Sequence, residues 1–374
     1  MKTKAFLLLI SLMLCTSAFG AMHFEKNQKC SECHPKIYEE FKSSQHGNAT
    51  VFADPIHGAV YDKHPMKNKM QKYRCAKCHT PTADNMKELL TPNNGVIPDP
   101  HNETQNEAVA CAYCHRITDV KPGKAMNENV VSKDMRKYFA NLESDVKSPF
   151  HEIETNVEVF KNGKLCMGCH MHKTNKKGFD VCSTEDDNMD GNNNCITCHM
   201  PQVDGAPSTL SKVKKHAFHG FPGLHGDLSL LSKYVTLDFK HEKENFTLSI
   251  DHQATHSSTL HPLRMAKLVV SIKRGEEIIK MEPKKLLKII GSKAGPSPKA
   301  TPPWLATDVV KDTRIPANTK KDFKYDFKLQ SGDKVTAKFG YHLVKPKALK
   351  KFGLENNEEA KEFRVIAKET FTVK

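Results

Sequence analysis

The sequence predicts an α+β protein in two parts, a loop-rich and mainly α-helical part followed by an antiparallel β-sandwich. Three observations predict this class. A Cys-x-x-Cys-His motif occurs five times before residue 200, and Pro-, Gly- and Asn-rich loops separate short helical runs there. The last third instead alternates apolar and polar residues between turn signals. We therefore predict boundaries at 1–20, 21–228 and 229–374.

The first twenty residues have the composition of a secretory signal peptide. Lys2 and Lys4 precede an apolar run from Ala5 to Cys15, which is too short to span a bilayer. Ala18 and Gly20 supply the small residues of a cleavage site. A retained membrane anchor is the alternative. We expect an exported, periplasmic chain with no stable membrane insertion once the signal is removed.

Ten of the twelve cysteines fall into the five motifs. Cys-x-x-Cys-His is the attachment signature of c-type haem, because the two thiols add to the porphyrin vinyl groups and the histidine ligates the iron. A zinc ribbon does not require the trailing histidine, a disulfide framework has varied spacing, and a thioredoxin-like motif occurs once. We therefore predict five covalent haem c groups, and a mainly α multihaem cytochrome c domain, from Cys30, Cys33 and His34; Cys75, Cys78 and His79; Cys111, Cys114 and His115; Cys166, Cys169 and His170; and Cys195, Cys198 and His199.

Five electron-carrying haems need five further axial ligands, and fifteen of the twenty histidines lie outside the motifs. Histidines near a motif, among small or loop-forming residues, are the best candidates. We predict His46, His151 and His216 as distal ligands. The remaining candidates are His64, His101, His219 and His256, with Met167, Met171 and Met200 as methionine alternatives of higher potential.

The formal charge of +14 does not predict a nucleic-acid partner. Basic residues are spread along an exported chain, rather than gathered in one patch. The propionates of five haems contribute about ten negative charges, which offset most of this positive charge.

Local patterns predict the elements of each part. We expect short helices over Pro35–Ser44 and Lys133–Leu142 in the first part. In the second part, runs such as "YVTLDFK", "NFTLSIDH" and "AKLVVSIKRGEEIIK" predict six or seven strands, with Pro283–Ile290 as a short helix. This pattern is typical of an immunoglobulin-like sandwich.

The quoted segments resemble a known family. "CSECHPKIYEEFKSSQHGNA" is similar to the first haem segment of the cytochrome c-554 (cytochrome c552/4) family of multihaem cytochromes, and "NCITCHMPQVDG" with "HAFHGFPG" resembles its last haem segment. "ATHSSTLHPLRMAKLVVSI" resembles a β-domain appended to some members, in which Gly-His and Pro-x-Gly precede an arginine; here Thr255 and Ser257 flank His256. The resemblance implies periplasmic electron transfer between redox proteins, such as quinol-linked or periplasmic cytochromes.

The pattern favours a non-enzymatic electron carrier over an enzyme. The alternative is a multihaem oxidoreductase that acts on nitrite, hydroxylamine or a sulfur oxyanion at one open haem. Pentahaem nitrite reductases mark that haem with Cys-x-x-Cys-Lys, and this chain has no such motif. A non-redox binding or sensor protein that uses the β-domain is a third hypothesis.

Overall fold

The computed structural model describes residues 23–141, 147–155, 157–184, 189–190 and 192–374. Helices there are short and concentrate in the first part of the chain, whereas long strands concentrate in the last third. The helices are α1 Asn27–Ser31, α2 Pro35–Ser43, α3 Pro55–Lys63, α4 Pro65–Asn68, α5 Ala76–His79, α6 Met86–Leu90, α7 Glu103–Asn106, α8 Cys111–Cys114, α9 Glu158–Lys161, α10 Met167–His170, α11 Cys195–His199, α12 Leu349–Phe352 and α13 Glu358–Lys361.

The strands differ in length between the two parts of the chain. Short two-stranded pairs join the loops of the first part, and strands of seven to ten residues build most of the last third. The strands are β1 Ile117–Lys121, β2 Glu128–Val131, β3 Lys137–Phe139, β4 Glu152–Glu154, β5 His172–Thr174, β6 Asp180–Ser183, β7 Gln202–Asp204, β8 Lys215–Ala217, β9 Val235–His241, β10 Phe246–His252, β11 Met265–Arg274, β12 Glu277–Lys280, β13 Lys284–Leu286, β14 Lys288–Ser292, β15 Lys299–Ala300, β16 Asp308–Asp312, β17 Thr319–Tyr325, β18 Lys334–His342 and β19 Arg364–Thr372.

Helix α2 agrees with the predicted helix to within one residue. Pro35 begins it, where a fixed φ and a missing N–H carry no penalty, and Phe41 buries its inner face. The helix predicted over Lys133–Leu142 is wrong, because Lys137–Phe139 is strand β3, paired with β4. The Phe139 N–H donates to the His115 carbonyl oxygen at 2.8 Å, so a contact distant in sequence overrides helix propensity. Leu142 lies outside the described residues.

Two antiparallel sheets face each other in the last third. One has the strand order β17-β10-β9 and the other β12-β11-β18-β19, with β13 also paired to β11. Strand β10 shows the period of two that a half-buried strand requires, with Phe246, Leu248 and Ile250 buried and the residues between them half-buried. These side chains share one hydrophobic cluster with Leu268 and Phe339 of the other sheet. The two sheets therefore enclose a common core.

The helix predicted over Pro283–Ile290 is also wrong. Strands β13 and β14 occupy this segment, and β14 forms a third sheet in the order β15-β14-β16. Leu286 pairs with Ala266 of β11 and is 1% exposed. Strand pairing places this leucine in the shared core, where a helix would lose the pairing.

The two parts of the chain are packed together. Ile56 of α3 lies in one hydrophobic cluster with Leu343 and Val344, which follow β18. Val181 of β6 packs with Ile290 and Ala306 in another cluster. Within the residues described, none of the helices has the length and apolar character needed to cross a membrane.

Candidate haem centres

Each Cys-x-x-Cys-His motif forms one tight helical turn. The backbone N–H of the histidine donates to the carbonyl oxygen of the first cysteine, for example at 2.9 Å from His34 to Cys30 and at 3.0 Å from His115 to Cys111. Residues i, i+3 and i+4 share one face of such a turn. The two thiols and the imidazole therefore point to the same side, as covalent haem attachment requires.

All fifteen motif residues line a single cavity of about 2130 Å³. A usual small-ligand pocket has only about 300–1,000 Å³, so this cavity suits several large cofactors rather than one substrate. Its wall is mostly apolar in character, as a porphyrin disc needs. Residues of the β-sandwich, including His256 and Arg264, form part of the same wall.

The motif histidines are held in the tautomer that a metal ligand needs. In four of them, ring Nδ1 lies within hydrogen-bond distance of a backbone carbonyl oxygen, so Nδ1 carries the proton and Nε2 keeps its lone pair. The pairs are His34 with Pro207 at 2.6 Å, His79 with Ala49 at 2.9 Å, His115 with Phe139 at 2.9 Å, and His199 with Pro222 at 2.6 Å.

Four motif histidines face a second histidine across a gap that fits one iron. Two imidazoles that bind one iron from opposite faces have ring centroids about 6 Å apart, because each metal–nitrogen bond is about 2 Å long. The observed centroid distances are 6.4 Å for His34 and His151, 6.0 Å for His170 and His46, 6.1 Å for His115 and His219, and 6.3 Å for His199 and His256. The residues present therefore fit bis-histidine haem at four motifs.

Burial keeps these rings neutral. It lowers the pKa of His46 and His219 to about 3 and that of His170 to about 4, with smaller contributions from neighbouring cationic groups. The pKa values of His115 and His199 are also lowered, again mainly by burial. A neutral imidazole has a free lone pair at neutral pH, which is the state that binds iron.

His46 and His151, two of the three predicted distal ligands, lie opposite motif histidines. His46 follows α2 in a turn, and its ring sits edge-on to Phe221 at 4.2 Å. The Nδ1 atoms of both His46 and His151 are buried and have no hydrogen-bond partner among the described residues. Their ligand role remains a prediction, and the 6.0 and 6.4 Å distances support it.

His216, the third predicted distal ligand, has no ring nitrogen available. Its Nδ1 lies 2.8 Å from the Gly205 carbonyl oxygen, and its Nε2 lies 2.9 Å from a Glu40 carboxylate oxygen. The ring is 1% exposed. The other Glu40 oxygen accepts the backbone N–H of His219 at 3.0 Å. His216 thus supports the loop of His219, and it is the His219 ring that faces His115.

The other candidate distal ligands also differ in whether Nε2 is free to bind iron. His219 and His256 have Nδ1 against the carbonyl oxygens of Ala217 and Ser257, at 2.6 and 2.9 Å, which leaves Nε2 free. His64 instead accepts the Met66 N–H at Nδ1, so Nε2 of the neutral ring carries the proton. His101 is exposed. The departure around His256 from the usual family pattern does not prevent it from facing His199.

The second motif differs from the other four. The ring centroid of His57 lies 4.0 Å from that of His79, which is too close for an iron between them. Both rings place Nδ1 2.9 Å from the same Ala49 carbonyl oxygen, so they lie side by side rather than face to face. In the part of the chain that the structure describes, the only histidine ring paired with His79 is that of His57.

Cysteines of different motifs meet inside the cavity. Hydrogen-bonding contacts join Cys30 of the first motif to Cys111 of the third, and Cys78 of the second to Cys169 of the fourth. A third contact joins Cys166 of the fourth motif to Cys195 of the fifth. Haems attached to these thiols would therefore be near neighbours.

The chain resembles known proteins in one segment of its sequence and in its overall fold. Residues 29–116, which hold the first three motifs, match the family described as cytochrome c554 and c-prime. Among solved structures, the chain is similar to a penta-heme cytochrome c552 from Thermochromatium tepidum, with 20% identity over 94% of this chain and 100% of that chain and a TM-score of 0.73. The fold and the haem motifs thus define a multihaem c-type cytochrome. The similarity to the cytochrome c554 family is carried by residues 29–116.

Two further solved structures match only 29% of this chain. They are an E. coli curli protein, CsgC, with 10% identity over 82% of that chain and a TM-score of 0.17, and a superoxide reductase from Nanoarchaeum equitans, with 13% identity over 81% of that chain and a TM-score of 0.18. No curated protein sequence matches the chain.

Proposed function

We propose that the chain is a periplasmic pentahaem cytochrome that carries electrons between redox proteins. The observation that carries this proposal is the set of four histidine pairs, 6.0 to 6.4 Å apart, in one cavity lined by all five motifs. Haem c supplies an iron that accepts and releases one electron. Two axial histidines leave no open position on that iron, which favours electron transfer over substrate chemistry.

The axial ligand pairs follow from the facing rings. We assign His151 to the haem of His34, His219 to that of His115, His46 to that of His170, and His256 to that of His199. The carbonyl contacts at Nδ1 fix the orientation of most of these rings and make them better electron donors to iron. Such bis-histidine sites have low potentials relative to histidine–methionine sites.

The contacts between motifs support a branched order of haems. The first haem neighbours the third through Cys30 and Cys111, and the fourth neighbours both the second and the fifth. Asn129 joins the third and fourth motifs, because its side-chain nitrogen lies 3.1 Å from the Tyr113 hydroxyl and 3.9 Å from the Cys169 sulfur. An electron that enters at the first haem would reach the fourth and there have two exits.

The proposed β-domain begins at residue 229 and is immunoglobulin-like. The strand orders β17-β10-β9 and β12-β11-β18-β19 support this class, because they repeat the A-B-E and C′-C-F-G neighbours of such sandwiches. In this proposal the domain braces the haem domain through His256 and the clusters around Val344 and Ile290. Quinol-linked or periplasmic cytochromes are the proposed redox partners.

One observation favours a second candidate function. The rings of His57 and His79 lie side by side at 4.0 Å, so neither completes a bis-histidine site for the other. The haem of the second motif would then have an open position, where a small oxidised nitrogen or sulfur species could bind iron. This candidate is an oxidoreductase that uses the other four haems as its electron supply.

Electron paramagnetic resonance on the oxidised protein tests both candidates, with haem counted as the pyridine haemochrome. Five low-spin haems that ignore added nitrite or hydroxylamine would support the carrier alone. Five haems with one high-spin signal that shifts on addition would favour the oxidoreductase. Fewer than five haems per chain would overturn the pentahaem proposal.

A further inference from the structure

The β-sandwich side of the cavity wall carries two cationic side chains, Arg264 and Lys345. An Arg264 guanidinium nitrogen lies 3.2 Å from His225 Nε2, and Lys345 Nζ donates to the Lys288 carbonyl oxygen at 2.8 Å. Across the described ranges, neither cation forms an ion pair with a carboxylate. Both partners are neutral groups, so the two cations have hydrogen-bond partners but no neighbouring negative charge that neutralises them.

The backbone holds these two residues side by side. Residues 261–264 form a turn in which the Arg264 N–H donates to the His261 carbonyl oxygen at 3.0 Å. The Lys345 N–H donates to the Leu263 carbonyl oxygen at 2.9 Å, which ties the segment after β18 to this turn. The cationic pair is therefore built into the edge of the sandwich and not carried by a loose loop.

The nearest carboxylates are engaged elsewhere. Asp54 accepts the Ile56 and His57 N–H groups at the start of α3 and the Gln45 amide. Glu359 lies 3.0 Å from His225 Nδ1. Both acids attract Arg264 from beyond contact distance, yet burial has the larger effect and lowers the Arg264 pKa. The attraction of these two carboxylates therefore does not replace a direct ion pair with Arg264.

Burial also lowers the pKa of Lys345 to about 8. Two cations in a mostly apolar cavity carry a desolvation cost that an anion between them would offset. Arginine presents a planar fork of donors that matches a carboxylate, and lysine adds a point charge. Arg264 and Lys345 therefore form a site that would bind a carboxylate located in the cavity.

We propose that Arg264 and Lys345 bind the propionate carboxylates of one haem in the cavity that the five motifs line, and hold its potential up. This inference rests on the proposed pentahaem function. A fixed cation stabilises the ferrous iron, which carries one positive charge less than the ferric iron. The pair would thus raise the potential of the haem that it contacts above the value set by the axial ligands alone.

A spectroelectrochemical titration of the complete haem-loaded protein tests the inference. In Arg264→Gln, one of the five potentials should fall while the other four and all spin states stay unchanged. Lys345→Met should lower the same potential, and Arg264→Lys should restore most of the value. Lys347→Met is the matched control, because Lys347 is exposed two residues away and outside the cavity wall.

The titration distinguishes failure of the propionate site from failure of the pentahaem proposal. Five haems with no shift in Arg264→Gln and Lys345→Met would overturn the propionate site and leave the pentahaem proposal intact. Equal shifts in potential in Lys347→Met would also overturn the propionate site, because they would show a general effect of surface charge. A shift that appears only in phosphate or sulfate buffer, and vanishes in a buffer without them, would show a free anion in place of a propionate. If Arg264→Gln fails to fold, the potentials of Lys345→Met and Arg264→Lys still test the propionate site.

Discussion

The ring of His199 lies 6.3 Å from the ring of His256, with 15° between their planes. His199 ends helix α11 in the last haem motif, whereas His256 lies between β10 and β11 of the sandwich. If one iron lies between these rings, as proposed, two parts of the chain with different architecture would supply its two axial ligands. The sandwich would then take part in the haem chemistry and be more than an appended domain.

Replacing His256 by alanine should convert one low-spin haem to high spin. The haem stays attached, because Cys195 and Cys198 still bind the porphyrin, but its iron loses the proposed sixth ligand. Low-temperature electron paramagnetic resonance measures the change. His241→Ala is the control, since His241 is exposed on β9 and should leave all signals unchanged. An unaltered spectrum in His256→Ala would remove this residue from the ligand set.

His219 and His216 should respond differently to substitution. His219→Ala should make the haem of His115 high-spin, because the facing ring 6.1 Å away is lost. His216→Gln should keep that haem low-spin, because His216 contacts Glu40 and Gly205 and not an iron. The same resonance measurement distinguishes them. High-spin character in the His216 variant alone would reverse the assignment and restore the interpretation from sequence.

The contrast between these two histidines marks how far the sequence could predict the site. The five attachment motifs were readable because their chemistry is local: three residues on one turn hold the porphyrin. A distal ligand comes from anywhere in the chain. His216 and His219 differ only in where their ring nitrogens point, and that depends on Glu40, which lies far away in the sequence.

The same distinction explains the fold predictions. Strands β9, β10 and β11 were predictable because buried and exposed residues alternate along them, which is a local signal. The predicted helix at Pro283–Ile290 is wrong because Leu286 gains a partner in β11, which no local pattern reveals. In the first part, a segment such as β3 takes its conformation from contact with His115. Where contacts between residues distant in sequence determine the backbone conformation, intrinsic propensity is a poor guide.

Replacing both Cys195 and Cys198 by alanine should reduce the haem content by one per chain. The two thiols of the fifth motif line the cavity and are the proposed attachment points. Pyridine haemochrome quantification and intact mass measure the loss. Cys182→Ala is the control, because this half-buried thiol belongs to no motif and should leave the haem count unchanged. An equal haem content in both variants would contradict covalent attachment at the fifth motif.

The isolated segment 229–374 should fold without haem. Its core, which includes Phe246, Leu248 and Phe339, is closed between two sheets and needs no porphyrin to fill it. Far-ultraviolet circular dichroism should show a β-type spectrum and one cooperative thermal transition. Leu248→Ala should reduce the free energy of unfolding by about 2–5 kcal/mol through loss of burial and a cavity. The exposed Lys243→Ala should change it by less than about 0.5 kcal/mol. A disordered fragment would contradict the boundary at residue 229.

The stability of the same fragment should depend on pH through Asp333, whose side chain is 1% exposed. Asp333 accepts Arg274 Nε at 2.9 Å and an Arg274 terminal nitrogen at 2.7 Å, and the Gln330 N–H at 2.9 Å. These bonds, with Arg274 first, lower the pKa of Asp333 in the folded state. The stabilisation is therefore complete above the unfolded pKa of about 4 and is lost as the pH falls through the lower folded value.

Asp333→Asn should accordingly lower the free energy of unfolding by about 1–3 kcal/mol at pH 7, because charge-assisted bonds to Arg274 are lost. The difference between the variant and the parent fragment should shrink as the pH is lowered from about 5 to about 2, since the parent then protonates the same group. Urea denaturation at a series of pH values measures both effects. Asp326→Asn, at an exposed position outside the described ion pairs, is the matched control. A pH-independent difference would mean that Asp333 acts through packing and not through its charge.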